Sequence, residues 1–295
     1  MEEKIYDLTD SRLHYEELTD SVTITAFEGL CGEVEIPERI AGKPVWEIAK
    51  KAFLSHKNLK RVILPESIRV IGDWAFAHCD RLERVTLPAK AIHFGKAVFL
   101  ECNGLKRLEI AEREKGIAEL LAAAVTLADA PYLLDTMEAG SGEWLAKWDA
   151  RLLAILNSDD TEGYSKQVLC GEEDYGSTDL NAYMAGRRKH KIRLSLLRML
   201  YSSGLNENMR TELTVYLQNH AKGCATEETW QVVLQEYGDD PDYYKLLTEL
   251  GCVSEENVAA MLDDMGEGHP EMKAFLLKFQ SEQLTQDHFF GSLEL

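Results

Sequence analysis

The strongest constraint on this chain is an internal repeat. Three segments align without gaps: AFLSHKNLKRVILPESIRVIGDW from Ala52, AFAHCDRLERVTLPAKAIHFGKA from Ala75, and VFLECNGLKRLEI from Val98. Phe53, Phe76 and Phe99 recur at one constant spacing, which Leu59, Leu82 and Leu105 share, as do Val62, Val85 and Leu108. Pro65 matches Pro88, Gly72 matches Gly95, and Cys79 matches Cys102. An irregular copy precedes them in GEVEIPERIAGKPVWEIAKKAF. There Ile36-Pro37 corresponds to Leu64-Pro65, and Ile48 lies one full period before Ile71. This copy carries a five-residue insertion at Ala41-Gly42-Lys43. A fixed period of this length is the signature of a solenoid, in which one unit cannot bury its own apolar face and stacked units share a core.

The pattern within one unit sets its local structure. In LKRVILP, alternation points Leu59, Val62 and Leu64 inward, and β-branched residues suit a short strand. Pro65 has no N–H to give to a ladder and ends the strand. IRVIG supplies a second extended piece, and Gly72 permits the turn after it. DWAFAHCDRL is expected to form a compact, helical turn with Phe76 and Cys79 filling the space between coils. A hairpin from Arg12 to Phe27, turning at Asp20-Ser21, is the expected N-terminal cap.

The columns AF…C…L…(V/I)…LP…I…IG…AF, with the lead-in GEVEIPERIAGKPVWEIAKKAF, resemble BspA-like leucine-rich repeats over residues 20–112. That family is known mostly from bacterial surface and adhesion-type proteins. The resemblance implies a solenoid scaffold for protein recognition.

After Ala111 the patterning becomes helical. GIAELLAAAVTLADA is rich in strong helix formers. Ser141, Asp159 or Asp160, Ser177, Thr226, Asp240-Pro241, Ser254 and His269-Pro270 each mark a helix start, and Gly204 and Gly223 mark ends. Eight to ten helices are expected. KLLTELG and AFLLKFQ share an LL pattern, so helical-hairpin or ankyrin-like repeats stand beside an irregular bundle as readings. The expected fold is therefore α+β, with a cap and 23-residue repeats in residues 1–112 and an acidic all-helical domain in residues 113–295.

Charge separates the two parts. The chain carries 32 Lys+Arg and 51 Asp+Glu, for a net charge of −19. Residues 1–112 hold 16 basic and 19 acidic residues, and the remainder holds 16 and 32. Such acidity argues against a general nucleic-acid binder, because phosphate contacts need a basic surface. In the repeats, Arg61, Arg84 and Arg107 share one register and point outward with Ile63, Thr86 and Glu109. Rungs ~4.8 Å apart would align the three arginines as a ladder. Three explanations stand: the acidic helical domain docks on them, an external acidic partner does, or duplication merely copied a soluble residue. A second basic run, Arg187, Arg188, Lys189, Lys191 and Arg193, is either a docking patch for an acidic or phosphorylated partner or a helix face paired with local carboxylates.

Motifs for catalysis are absent: there is no GxSxG, HExxH, GxxxxGK[ST] or strand-following GxGxxG. The histidines show no ligand spacing, and the six cysteines form no CxxC pair. No metal or cofactor is expected. No apolar run reaches the ~18 residues of a membrane span, and the acidic N-terminus lacks a signal-like apolar core. The expected function is a non-catalytic protein-interaction module in a reducing cytosol, with an unknown protein partner and neither nucleic acid nor membrane. The alternatives are a secreted or surface adhesin-like protein and an enzyme with a site in the helical domain. The candidate partner-binding residues are Arg61, Ile63, Arg84, Thr86, Arg107, Glu109, Arg187, Arg188 and Lys189.

Overall fold

A computed structural model describes residues 3–111, 113–114, 116–127, 130–165 and 179–284. Two compact units are formed, residues 1–148 and 149–295.

The first unit opens with strands β1 (Lys4–Asp7), β2 (Ser11–Glu17) and β3 (Val22–Gly29), all antiparallel. The expected capping hairpin is present as β2–β3, with β1 added at its edge. From β3 onward the sheet is parallel: β3 pairs with β6 (Lys43–Ile48), β6 with β8 (Val70–Ile71), and β8 with β10 (His93–Phe94). A second, wholly parallel sheet runs β4 (Glu33–Glu35), β7 (Arg61–Ile63), β9 (Arg84–Leu87), β11 (Arg107–Ile110). β7 and β9 stop at or just before Pro65 and Pro88, as the missing proline donor requires. The five-residue insertion in the first copy is a small hairpin, β5 (Arg39–Ile40) against β6, turning through Ala41 and Gly42 at φ 51° and 79°. Positive φ at both central residues is the turn geometry whose twist matches flanking strands.

The core between the sheets follows the repeat. Phe53 stacks on Phe76 at 4.9 Å between ring centroids, and Phe76 on Phe99 at 5.6 Å. Phe27 extends this column by one coil, 5.0 Å from Phe53. Leu59, Val62, Leu64, Leu82, Val85 and Leu108 are buried around it. Cys79 and Cys102 each direct Sγ at a carbonyl of the preceding coil, Phe53 and Phe76, at 3.0 Å. Burial pushes the Cys79 thiol up to about 11 and that of Cys102 to about 12.

The turn segment differs from the helical expectation. Lys51, Trp74 and Ala97, and then Ser55, His78 and Glu101, all have left-handed φ between 51° and 62°. Two such residues per coil are incompatible with an α-helix. The conformation is held by hydrogen bonds between coils: Phe53 N–H to the Ala75 carbonyl, Ser55 to Ala77, Phe76 to Val98 and His78 to Leu100, at 2.7–3.0 Å. Gly72 also has a different reason to be glycine. A Cβ there would lie 2.5 Å from the Lys50 backbone nitrogen, so the residue is needed for close approach of neighbouring coils.

Helix α1 (Ile117–Ala124) packs on β11 and closes the stack. The 3₁₀ turn Pro131–Leu134 and helix α2 (Gly142–Leu156) follow. Trp144 and Trp148 are fully buried, donating their indole N–H groups to the carbonyls of Leu133 and Leu120 at 3.0 and 3.1 Å. The last strand of the stack ends at Ile110, while the first compact unit runs on to Trp148.

The second unit contains α3 (Leu180–Leu200), α4 (Glu207–Gln218), α5 (Glu228–Glu236), α6 (Pro241–Glu249), α7 (Val258–Asp264) and α8 (Pro270–Phe279). With α1 and α2, eight α-helices lie among the described residues. Ser141, Asn206 and Asp240 accept backbone N–H bonds at the starts of α2, α4 and α6. Ser177, expected to open α3, lies outside the described residues; Asp179 caps that helix instead. Buried positions align across the helices. Met209, Tyr243 and Met272 are separated by the same two intervals as Leu213, Leu247 and Leu276, and as Arg198, Val232 and Met261. Arg198 fills its core position as half of a salt bridge, Nε 2.5 Å from Asp149 Oδ1 and Nη2 3.1 Å from Oδ2.

Candidate interaction face

The four-stranded parallel sheet presents two rows outward. Glu33, Arg61, Arg84 and Arg107 are successive partners in register, and beside them run Glu35, Ile63, Thr86 and Glu109. The arginine ladder therefore exists, and it has a carboxylate rung, Glu33, at its N-terminal side. That rung was reachable from the sequence: the offset that carries Ile36-Pro37 onto Leu64-Pro65 also carries Glu33 onto Arg61.

Two like charges one strand apart in water repel by about 1 kcal/mol, so compensation decides which arginines remain available. Arg107 is engaged: its Nε and Nη2 reach Glu119 Oε1, on α1, at 2.9 and 2.6 Å. Helix α1 thus places a carboxylate on the ladder. Arg84 Nε lies 3.4 Å from Glu109 Oε1, and Thr86 Oγ1 bonds the other oxygen of that carboxylate at 3.4 Å. Arg61 has no ion pair among the described residues, and its Nε is buried without a hydrogen-bond partner. Ile63, beside it, is half-buried.

The second candidate cluster is on α3. Arg188 bridges Glu228 (2.7 Å) and Asp160 (3.4 Å); Arg187 donates to Ser158 Oγ (3.2 Å), and Lys189 to Gln235 Oε1 (3.2 Å). Lys191 is buried against Asp160 and the Ser158 carbonyl, both at 2.7 Å, and Arg193 forms a forked pair with Glu236 at 2.6 and 2.7 Å. The ionic partners lie far off in sequence, before and after the helix, which spacing along one helix could not show. His190, between these cations, is held neutral: burial, with the charges of Arg193 and Arg187, lowers it to about 4. The helical unit also holds Tyr216, whose hydroxyl is pushed well above its ordinary range by burial and by the carboxylates of Asp160 and Glu228.

Among the described residues no group of three His, Cys, Asp or Glu side chains could hold a metal ion. No helix among them is long and apolar enough to cross a membrane.

Stacked coils, two flanking parallel sheets and a shared phenylalanine column define a leucine-rich-repeat solenoid. Its particular type is indicated by the sequence: residues 21–125 match the model of the BspA type leucine-rich repeat region, in six copies. Similar solved structures are bacterial. A leucine-rich-repeat protein of T. pallidum is 35% identical over 33% of this chain and 46% of its own, with a TM-score of 0.32. A leucine-rich cell surface protein of Faecalibacterium prausnitzii is 25% identical over 35% of this chain and 29% of its own, with a TM-score of 0.31. A leucine-rich repeat protein of Bacteroides capillosus is 22% identical over 39% of this chain and 91% of its own, with a TM-score of 0.32. The chain spans about half or less of the first two of these proteins. No curated protein sequence matches it.

Proposed function

We propose that the chain is a non-catalytic protein-interaction scaffold, and that a partner docks on the outward face of the four-stranded sheet through an acidic segment. Arg61 carries this reading. It lies in register with Arg84, it has no carboxylate within ion-pair distance among the described residues, and Ile63 beside it offers apolar area. A carboxylate seated between Arg61 and Arg84 would accept forked hydrogen bonds from two guanidinium groups, the pairing with the greatest geometric specificity. The basic run of α3 is spent on Glu228, Asp160 and Glu236 and is the weaker docking candidate. The hydrogen-bonded thiols of the repeat fit a reducing compartment. The shared recurrence of core positions supports a helical-hairpin array in the second unit.

A photo-crosslinking amino acid at Ile63, in the full chain expressed in its own cells, tests the docking face. An adduct with one protein, lost when Arg61→Glu is added, is the expected result. An adduct insensitive to Arg61→Glu, or none at all from Ile63, refutes it.

A further inference from the structure

The turn edge of the solenoid carries an open notch bordered by two leucines of the repeat. Leu54, Ala77 and Leu100 share one register of the repeat. Leu54 and Leu100 line an open depression of about 390 Å3 together with Lys51, Ser55, Trp74 and His78. Ala77, which holds the place between the two leucines in the register, is fully buried and lies beneath the depression rather than in its lining. At ~4.8 Å per rung the leucines stand about 10 Å apart, which leaves room for one branched or aromatic side chain. The lateral walls are Trp74 and His78, in the same coil as Ala77 and both with left-handed φ, 54° and 59°. His78 is braced by Glu101, Nδ1 to Oε2 2.8 Å.

The lip of the notch is basic. Lys50 Nζ and Lys51 Nζ lie 4.9 and 5.7 Å from the Trp74 ring centroid, and neither ammonium has an ion pair among the described residues. Leu100 is 45% exposed. The notch thus combines two leucines and an indole with Ser55 and His78, and has two cations without ion pairs among the described residues at its edge in a chain of net charge −19.

We propose that this notch docks a partner protein segment that inserts a single apolar side chain of phenylalanine or leucine type, flanked by acidic residues. The side chain occupies the depression between Leu54, Trp74 and Leu100. The flanking carboxylates meet Lys50 and Lys51. The site shares no residue with the arginine-bearing sheet face and stands whether or not that face binds.

The test uses the full chain, 15N-labelled, and the capped peptide Ac-Gly-Asp-Glu-Phe-Glu-Asp-Gly-NH2. The readout is the Trp74 indole N–H resonance, assigned with Trp74→Phe. The expected result is a saturable shift of that resonance, at least tenfold weaker binding when the peptide phenylalanine becomes alanine or its acids become lysines, and a similar loss in Leu100→Asp, which sets a carboxylate in the lining against the incoming acids. Lys50→Glu with Lys51→Glu, both on exposed side chains, is expected to weaken binding as strongly and serves if Leu100→Asp does not fold. An indole resonance unmoved at millimolar peptide, or wild-type binding by both variants, overturns the proposal. So does a Trp74 shift that depends on protein concentration without peptide, which would make a second copy of the chain the occupant.

Discussion

Removing Phe76 from the aromatic column should cost more than its own burial, and the excess is measurable. Its ring is fully buried, 4.9 Å from Phe53 and 5.6 Å from Phe99. Deleting such a side chain leaves a cavity and costs ~3–5 kcal/mol. Each stacked pair adds ~0.5–1.5 kcal/mol beyond area burial. The pairwise part is isolated by a cycle of Phe53→Ala, Phe76→Ala and the double variant, in which the two changes should be non-additive by about 1 kcal/mol. Global unfolding of a two-unit chain need not be two-state. Native-state hydrogen exchange is therefore the better assay, read at the Phe53 and Phe76 amides, whose N–H groups bond the next coil's carbonyls. In a solenoid the effect should spread to neighbouring coils and fade with distance. Additivity within ~0.3 kcal/mol would refute the stacking argument.

Three further outcomes are expected. Asp149→Asn leaves the fully buried Arg198 guanidinium without its counter-charge and should destabilise the helical unit by ~3–5 kcal/mol, measured by urea unfolding; a loss under about 1 kcal/mol would mean the pair is solvated. His190, lowered to about 4 when folded against 6.5 as its ordinary value, is neutral in both states above pH 6.5. Below that the unfolded chain takes up a proton which the folded chain refuses, so stability falls by ~3 kcal/mol between pH 6.5 and 4. His190→Gln should flatten this part of the pH profile, and an unchanged slope would refute the assignment. Gly72→Ala forces a Cβ to within 2.5 Å of the Lys50 nitrogen, so the coil spacing must open; a lower melting temperature with faster exchange at the Gly72 amide is predicted, and unchanged exchange there would count against the close approach.

The sequence made the solenoid legible because period, inward alternation and proline stops all reported the same coil. What it hid has physical reasons. Phe27 belongs to the column but sits farther from Phe53 than one repeat period, so a search at that period passes over it; the Ala-Phe dipeptide shared by Ala26-Phe27, Ala52-Phe53 and Ala75-Phe76 was the available signal. The left-handed turns carry Lys, Trp, Ala, Ser, His and Glu rather than glycine, because hydrogen bonds between coils compensate the local strain. Nothing in one coil's sequence announces that compensation. The face itself was partly readable: the arginine register followed from the period, whereas Glu119 reaches Arg107 only because α1 folds back on β11. On α3, Arg188 and Arg193 find Glu228 and Glu236 on α5, helix packing that no local pattern encodes.

In the proposed function, Arg61 and Arg84 on the sheet face are where the chain meets its partner. The most direct measurement is the dissociation constant for the protein cross-linked from Ile63, compared between the wild-type chain and the chain carrying Arg61→Glu with Arg84→Glu. Loss of the charge pairing should weaken binding by at least a hundredfold, about 3 kcal/mol, while protected amides in the repeat core show that the doubly reversed chain is still folded. Undiminished affinity in the doubly reversed chain would contradict the claim.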